Sequence, residues 1–299
     1  MYYALIMLSV VMFSGVFGLQ DLYRKKRGSG IRITMESTFV GAMAGLIVLL
    51  VLSGFSVDFT PFTLLMATVA AINIMALTFC SFRALEYINL SLFSLFAMLG
   101  GMALPFFQGI LFYNEGITWA KVVCVVLIGV ALALTVEKGD KDKGTIYYIG
   151  IFVFNGMCGV LSKLFTASPL PKTGEMAYSM WIAAMTVVLS GVFWLVLSGA
   201  ERRKASSQER KTAKPARKTL FQSYGIAALY GMMDNVANFL LVVALVHVDA
   251  SVQYPMVTGG TMIVSTVISC FGEKKPSLRE IISVALAFLG MVALFAIPA

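Results

Sequence analysis

One acidic residue stands in the middle of a long apolar segment of this sequence. Asp234 lies near the centre of residues 221–247, and a charged side chain at the centre of a bilayer costs roughly 2.5–3.5 kcal/mol on insertion scales. Tyr230 and Asn238 lie four residues to either side, so on a helix the three side chains share a face that we expect to point towards other helices. Such a carboxyl could exchange a proton or balance the charge of an ammonium substrate. A protonated or hydrogen-bonded Asp234 that clamps helices together is the alternative.

Other polar residues in apolar segments extend this candidate site. Asn73 lies in the segment that corresponds to that of Asp234 earlier in the chain, and Ser14 and Asn155 each precede a glycine that would allow close helix approach. Two further segments carry small and polar residues at helical spacing, which line either a cavity wall or a dry helix contact. The candidate residues for binding a solute or a proton are Asp234, Asn235, Asn238, Asn73, Ser14, Asn155, Ser94, Tyr254 and Thr258.

The residue sets that most membrane enzymes use are missing from the sequence. Proteases, acyltransferases and metal hydrolases need paired carboxylates, a nucleophile with a base, or a histidine-rich metal site, whereas this chain has one histidine. No glycine-rich loop with a Lys-Ser or Lys-Thr pair is present for nucleotide binding. The four cysteines lie in apolar segments without close pairing and read as small apolar residues of the bundle. We therefore expect no enzyme activity, no metal and no cofactor.

The elements that position these residues are long apolar segments. Of 299 residues, 59% are hydrophobic and 13% charged, against roughly 45–50% and 25% in soluble domains. A helix needs about 20 apolar residues to cross a bilayer. Ten segments meet this requirement: 2–22, 36–53, 61–82, 90–112, 118–136, 145–165, 174–198, 221–246, 251–271 and 277–297. The sequence predicts an all-α polytopic membrane protein.

The basic residues are concentrated in the loops on one side of the membrane and do not form a single patch. The formal net charge is +8, and 20 of the 23 Lys and Arg residues follow odd-numbered segments, the others being Lys121, Lys163 and Lys172. Since positive residues favour the cytoplasmic side, we expect the loops after odd-numbered segments in the cytoplasm and both termini outside. The basic charge then needs no nucleic-acid partner. The expected location is the cytoplasmic membrane.

Two stretches about 160 residues apart repeat the same residues in the same order. Ala84, Ser91, Gly100, Glu115 and Gly129 recur as Ala244, Ser251, Gly260, Glu273 and Gly290. Five segments per copy is an odd number, so the second copy crosses in the opposite direction, and the loop charges are opposite at equivalent places. We expect two inverted five-helix repeats at 2–137 and 145–297, joined by a linker at 138–144, with a flexible basic cytoplasmic loop at 201–219.

The repeated residues carry a resemblance to a known family. They run from Ser81-Phe82-Arg83-Ala84-Leu85 through Ser91, Pro105 and Glu115 to the helix of Gly129, and from Ala244-Leu245 through Ser251, Pro255 and Glu273 to the helix of Gly290. This pattern resembles the paired EamA-type domains of the drug/metabolite transporter superfamily. The resemblance implies ten helices, of which the first four in each half surround a substrate cavity and the fifth is peripheral. Phe13-Ser14-Gly15 departs from the Trp-Gly-Ser-Asn type of run often found in the first helix.

The function that the sequence predicts is secondary active transport by alternating access. The expected partners are the bilayer, a small organic solute such as a metabolite, amino acid or amine, and coupled protons, with the protein as a monomer or a homodimer. A passive channel or a lipid flippase is the alternative, and a scaffold without transport is the least favoured one.

Overall fold

The computed structural model describes residues 2–112, 118–135, 144–205, 217–245, 250–272 and 275–296. Within them the chain forms ten α-helices and no strand, which confirms the predicted all-α class. The helices are α1 (Tyr2–Arg27), α2 (Ile31–Leu52), α3 (Pro61–Tyr87), α4 (Leu90–Phe112), α5 (Trp119–Thr135), α6 (Thr145–Ala167), α7 (Glu175–Ala205), α8 (Arg217–Leu245), α9 (Ala250–Cys270) and α10 (Leu278–Ala296).

Local sequence explains several helix ends. The Thr60 side chain accepts a hydrogen bond from the backbone N–H of Thr63 at 3.2 Å, and Pro61 occupies the first position of α3, where its missing N–H costs nothing. Asn89 accepts from the N–H of Leu92 at 2.8 Å and so caps α4. Gly28, with a φ of 92°, turns the chain between α1 and α2 in a conformation that favours glycine.

The basic loop predicted at 201–219 is shorter than expected. Helix α7 continues to Ala205 and α8 begins at Arg217, because the alanine, glutamate, arginine and lysine residues at these ends are good helix formers. Residues 206–216 lie outside the described residues, as do Glu115, Glu273 and the predicted linker apart from Gly144.

Six of the helices in the described residues are long and apolar enough to cross a membrane: α1, α2, α3, α4, α6 and the Glu175–Glu201 part of α7. Large apolar side chains on the outside of the bundle, such as Leu65, Leu111 and Val196, are more than half exposed. Exposed apolar surface on this scale suits contact with lipid and not with water. The chain is a helical membrane protein.

The main helix contacts join the first five helices to the last five. Helix α1 packs on α8 and α9, and α6 packs on α3 and α4. Helix α2 packs on α7 and α8, α3 also packs on α7, α4 on α9, and α5 on α10. The largest buried apolar cluster follows this pattern, since Phe93, Leu95 and Leu99 of α4 pack with Ile151 of α6 and Met262 of α9.

Two of these contacts bring helix backbones together at glycines. A Cβ atom added to Gly231 of α8 would collide with the backbone of Gly41 in α2. A Cβ atom on Gly156 of α6 would lie 2.6 Å from the carbonyl oxygen of Gly100 in α4. Small residues permit such approach in membrane bundles. The first of these crossings places α8 tightly against α2 three residues before Asp234.

Candidate functional site

Asp234 lies inside the helix bundle, half-buried on α8. It shares a helix face with Tyr230, four residues earlier, and a charge on Asp234 acts at longer range on the Cys158 thiol of α6. Among the described residues, no lysine, arginine or histidine forms an ion pair with it. Asp234 is therefore an acidic group inside the bundle without a basic partner in the part of the chain that the structure describes.

Asn73 and Cys158 form a polar contact between α3 and α6. The Asn73 side-chain amide donates to the Phe154 carbonyl oxygen at 2.9 Å and to the Cys158 sulfur at 3.1 Å. The Cys158 thiol donates in turn to the same Phe154 oxygen at 3.4 Å. Asn73 is buried. These bonds tie α3 to α6 at the point where α6 faces Asp234.

Two tyrosines complete this group of residues. Tyr178 of α7 lies within electrostatic range of Cys158, and its ring stacks on Phe165 with a centroid distance of 3.8 Å. Tyr230 faces Ser37 of α2. The hydroxyls of both tyrosines are buried without a hydrogen-bond partner of normal geometry among the described residues. We call Asn73, Cys158, Tyr178, Tyr230 and Asp234 the Asp234 cluster.

The arrangement can bind a cation or hold a proton. Its polar atoms come from α3, α6, α7 and α8, and they comprise one carboxylate, one amide, one thiol and two hydroxyls. An unpaired carboxylate attracts an ammonium group, and buried hydroxyls without partners can donate to a bound molecule. In the described part of the chain, no three His, Cys, Asp or Glu side chains come together in a way that could hold a metal ion.

Two other residues predicted on α8 do not join the cluster. The Asn235 side-chain amide donates to the Gly231 carbonyl at 2.8 Å and packs so closely on Gly45 of α2 that a Cβ atom there would collide with it. The Asn238 side chain is exposed and donates to the Asp234 backbone carbonyl at 2.8 Å. Asn235 therefore packs the α2–α8 contact, and Asn238 points to the outside of the bundle.

Ser14 and Asn155 hold helices together through carbonyl oxygens. The Ser14 hydroxyl is buried and approaches the Val10 carbonyl at 2.9 Å and the Thr261 carbonyl of α9 at 3.4 Å. The Asn155 amide donates to the Ala97 carbonyl of α4 at 2.5 Å. Each residue thus links its own helix to the helix beside it, and the structure does not bring the two together.

The polar stripe on α4 is mostly used in helix contacts. Ser94 is buried and donates to the Ser91 carbonyl at 2.8 Å, and the Ser91 hydroxyl lies 2.8 Å from that of Thr266 on α9. Thr258 is half-buried on α9, while the Tyr254 side chain lies outside the described residues. For Ser91 the dry-contact alternative describes the geometry, while Ser94 is buried and hydrogen-bonds within α4.

Sequence reasoning missed Cys158 and Tyr178 as members of the cluster. The sequence predicts Cys158 to be a small apolar packing residue, whereas its sulfur accepts a hydrogen bond from the Asn73 amide. No sequence pattern links Tyr178 to the candidate site, because it lies at the start of α7, far in sequence from every other member of the cluster.

A second buried polar group lies where α1 and α2 meet. Arg27 and Glu36 form an ion pair at 2.8 Å, and their side chains are only 7% and 3% exposed. Tyr23, fully buried, and Tyr224 of α8 both lie within electrostatic range of this ion pair. In the sequence Glu36 lies at the start of an apolar segment and nine residues after Arg27, which is typical of an acid at a membrane boundary, whereas the structure buries it.

Comparison with known proteins supports the fold alone. No protein-family model matches this chain, and no curated protein matches it. A solved structure, described only as the crystal structure of a protein, superposes with a TM-score of 0.51 and 14% identity over 96% of this chain and 94% of its own. The likeness covers nearly the whole of both chains, so the overall fold is similar to that of another protein of similar length.

Proposed function

We propose that this protein is a secondary active transporter of a small organic solute and that the Asp234 cluster is its binding site. One observation carries the proposal: a carboxylate without a basic partner among the described residues lies where polar groups of four helices meet. An unpaired acid inside a membrane bundle is costly, and such residues mark substrate or ion pathways.

The packing supports two inverted five-helix repeats that cross the membrane ten times. When the first five helices are exchanged for the last five, the contact of α1 with α8 becomes that of α6 with α3, and both occur. The contacts of α1 with α9 and of α2 with α8 map in the same way on those of α6 with α4 and of α7 with α3. In transporters of this plan the solute binds between the repeats, and the Asp234 cluster draws on both.

The repeat and its residues favour membership of the drug/metabolite transporter superfamily, with EamA-type halves. The positive-inside rule then puts the Arg24 to Arg27 end of α1 in the cytoplasm of a cell whose cytoplasmic membrane holds the protein. Asp234 lies 17 residues after the start of α8 and 11 before its end, at a depth that either side could reach as the halves rock.

Charge exchange at Asp234 provides a mechanism for coupling. When ionised, the carboxylate attracts a solute that carries an ammonium group. When protonated, it loses that attraction and releases the solute. A proton and an ammonium solute would therefore compete for Asp234, and a proton gradient would drive the solute in the opposite direction. Tyr178, Tyr230 and Asn73 would orient the rest of the solute by hydrogen bonds.

The test compares Asp234→Asn with wild type in proteoliposomes under a proton gradient. Phenethylamine is the probe, and 2-phenylethanol is its neutral counterpart. We expect uptake of phenethylamine by the wild-type protein and none above empty vesicles for Asp234→Asn. Asp58→Asn, which removes an exposed acid in the α2–α3 loop, is the matched control and should transport normally. Thermal melting should show that both variants are folded.

Other outcomes would redirect the proposal. Uptake that ignores the proton gradient in both proteins would indicate a passive channel. Undiminished, equally pH-sensitive uptake by Asp234→Asn would refute the role of this carboxylate. If phenethylamine does not bind the wild-type protein, it is not the solute. Wild type and Asp234→Asn are then screened by thermal shift against amino acids, nucleosides and sugars.

A further inference from the structure

Two helix connections meet at one end of the bundle. They are residues 53–60, between α2 and α3, and residues 168–174, between α6 and α7. The Trp181 indole N–H of α7 donates to the Asp58 backbone carbonyl at 2.8 Å, and its ring packs edge-on against Phe59 with 5.6 Å between the ring centroids. The first connection is therefore attached to α7.

The second connection is attached to the start of α3 through two threonines. The Thr173 backbone N–H donates to the Thr63 hydroxyl oxygen at 3.1 Å, and the two hydroxyl oxygens lie 3.2 Å apart. Both side chains are buried. We call the contacts of Asp58, Thr63, Thr173 and Trp181 the loop latch. They join neutral groups, and hydrogen bonds between neutral groups contribute only modestly to stability, so the loop latch can open reversibly.

Aromatic rings connect the loop latch to the Asp234 cluster. Phe62, the residue before Thr63, lies parallel to Phe165 of α6 with a centroid distance of 6.0 Å. Phe165 in turn stacks on Tyr178 of α7 at 3.8 Å, and both of these rings are almost fully buried. Since Tyr178 belongs to the Asp234 cluster, the three rings close the space between the loop latch and the cluster.

The Tyr178 hydroxyl gives this closed arrangement a cost. It is buried and has no hydrogen-bond partner among the described residues. A buried hydroxyl without a partner disfavours the arrangement that holds it. Separation of the rings would let the hydroxyl bond to water or to a bound solute, so opening of the loop latch would remove this cost.

We propose that the loop latch closes one route to the Asp234 cluster and opens as a unit to admit the solute. Residues 53–60 lie in the first five-helix half of the chain and residues 168–174 in the second, so rocking of the halves would separate them. This route enters at the end of α2 that lies far from the turn between α1 and α2. The proposal rests on the solute site proposed above, but opening of the latch is measured without transport.

The Thr173 backbone N–H reports on the loop latch, because it exchanges with solvent after its bond to Thr63 breaks. Hydrogen-deuterium exchange is followed by mass spectrometry with residue-level resolution on the full-length protein in nanodiscs. Trp181→Phe removes the hydrogen bond to Asp58 and keeps an aromatic ring. If the contacts open together, exchange at Thr173 should become about two- to tenfold faster in this variant.

Two threonine variants frame this result. Thr63→Val removes the acceptor of the Thr173 N–H and should accelerate exchange at least as much as Trp181→Phe. Thr166→Val is the matched control, because the Thr166 hydroxyl donates to the Ser162 and Lys163 carbonyls of its own helix. It should leave exchange at Thr173 unchanged.

Native cysteines measure access to the Asp234 cluster. The reagent is 2-hydroxyethyl methanethiosulfonate, which is small and neutral and modifies the thiols that it reaches. Cys158 of the cluster is half-buried, and its modification should accelerate by the same factor as exchange in Thr63→Val and Trp181→Phe. Cys80 and Cys124 are buried outside the cluster and should stay unmodified in every variant.

Three results would overturn the loop latch. Unchanged exchange at Thr173 in Trp181→Phe would show that its contacts open independently. Faster exchange without faster modification of Cys158 would show that the latch does not control access. Modification of Cys80 or Cys124 would assign the effect to loosening of the whole bundle. If both rates respond together while phenethylamine is not transported, the latch stands and the transport proposal alone fails.

Discussion

Two acidic residues, Asp234 and Glu36, are enclosed by the same helix bundle in opposite ways. Glu36 has the Arg27 guanidinium at 2.8 Å, so its charge is compensated within the protein. Asp234 has neighbours that are polar but not basic among the described residues, namely Cys158, Asn73 and the tyrosines of its cluster. Within the described part of the chain, the charge of Glu36 is therefore compensated and that of Asp234 is not.

We propose that this difference separates a structural role for Glu36 from a binding role for Asp234. Removing one partner of a buried ion pair strongly destabilises the folded protein, because the other charge is left buried and unpaired. The stability of the fold does not depend on a basic partner where a carboxylate has none among the described residues. A cationic ligand or a proton can then compensate the negative charge. We expect substitutions at Arg27 and Glu36 to change folding and those at Asp234 to change transport.

Removing Arg27 should have the largest effect on stability. Arg27→Gln leaves Glu36 buried without its cation, and the free energy of unfolding should fall by about 3–5 kcal/mol. The double variant Arg27→Gln with Glu36→Gln should recover most of this loss, since no charge is then left buried. Denaturant titration in mixed micelles measures both. A double variant as unstable as the single one would mean that lost packing, not the unpaired charge, causes the effect.

Adding a second acid to the Asp234 cluster should have an intermediate effect. Asn73→Asp replaces the amide donor to the Phe154 carbonyl with an oxygen that repels it, and it brings a carboxylate to Cys158 beside Asp234. We expect a loss of about 1–3 kcal/mol in the free energy of unfolding. Combining it with Asp234→Asn should restore part of this loss, whereas Asn73→Ala, which removes only the donor, should gain nothing from that combination.

An exposed ion pair gives the smallest effect and a baseline for the other two. Arg32 and Glu201 lie 2.9 Å apart, but their side chains are 35% and 61% exposed. Arg32→Gln should lower the free energy of unfolding by about 0.2–1 kcal/mol, and less at high salt. A loss as large as that from Arg27→Gln would show that burial does not separate the two pairs.

The sequence predicts Asp234 as a candidate because an acid is unusual in a long apolar segment. It also predicts the helices, because their apolar segments are long. It did not identify the burial of Glu36, which lies beside basic residues at a segment end and looks like an ordinary boundary acid. The burial of Glu36 depends on contacts of α2 with α8 and with the end of α1. The sequence of one segment does not show which other helices pack against it. Cys158 is a similar case, since its polar neighbours come from α3, α7 and α8.

Ser14 and Asn155 show a different limit. Their residue types correctly indicated a need for polar partners, but a serine or asparagine is satisfied equally by a solute or by a carbonyl on the next helix. The structure gives the carbonyls of Thr261 and Ala97 as those partners.

The pairing of the first five helices with the last five has a consequence for how the protein is made. A ribosome delivers α1 to α5 to the membrane before any of their main packing partners exists. For example, the Ser9 hydroxyl can donate its hydrogen bond to the Ala237 carbonyl only after another 228 residues have been translated. Half of the protein would thus remain in the membrane as loosely associated helices, and a chain that stops after α5 would offer quality-control proteases a set of unburied polar faces and no finished interface.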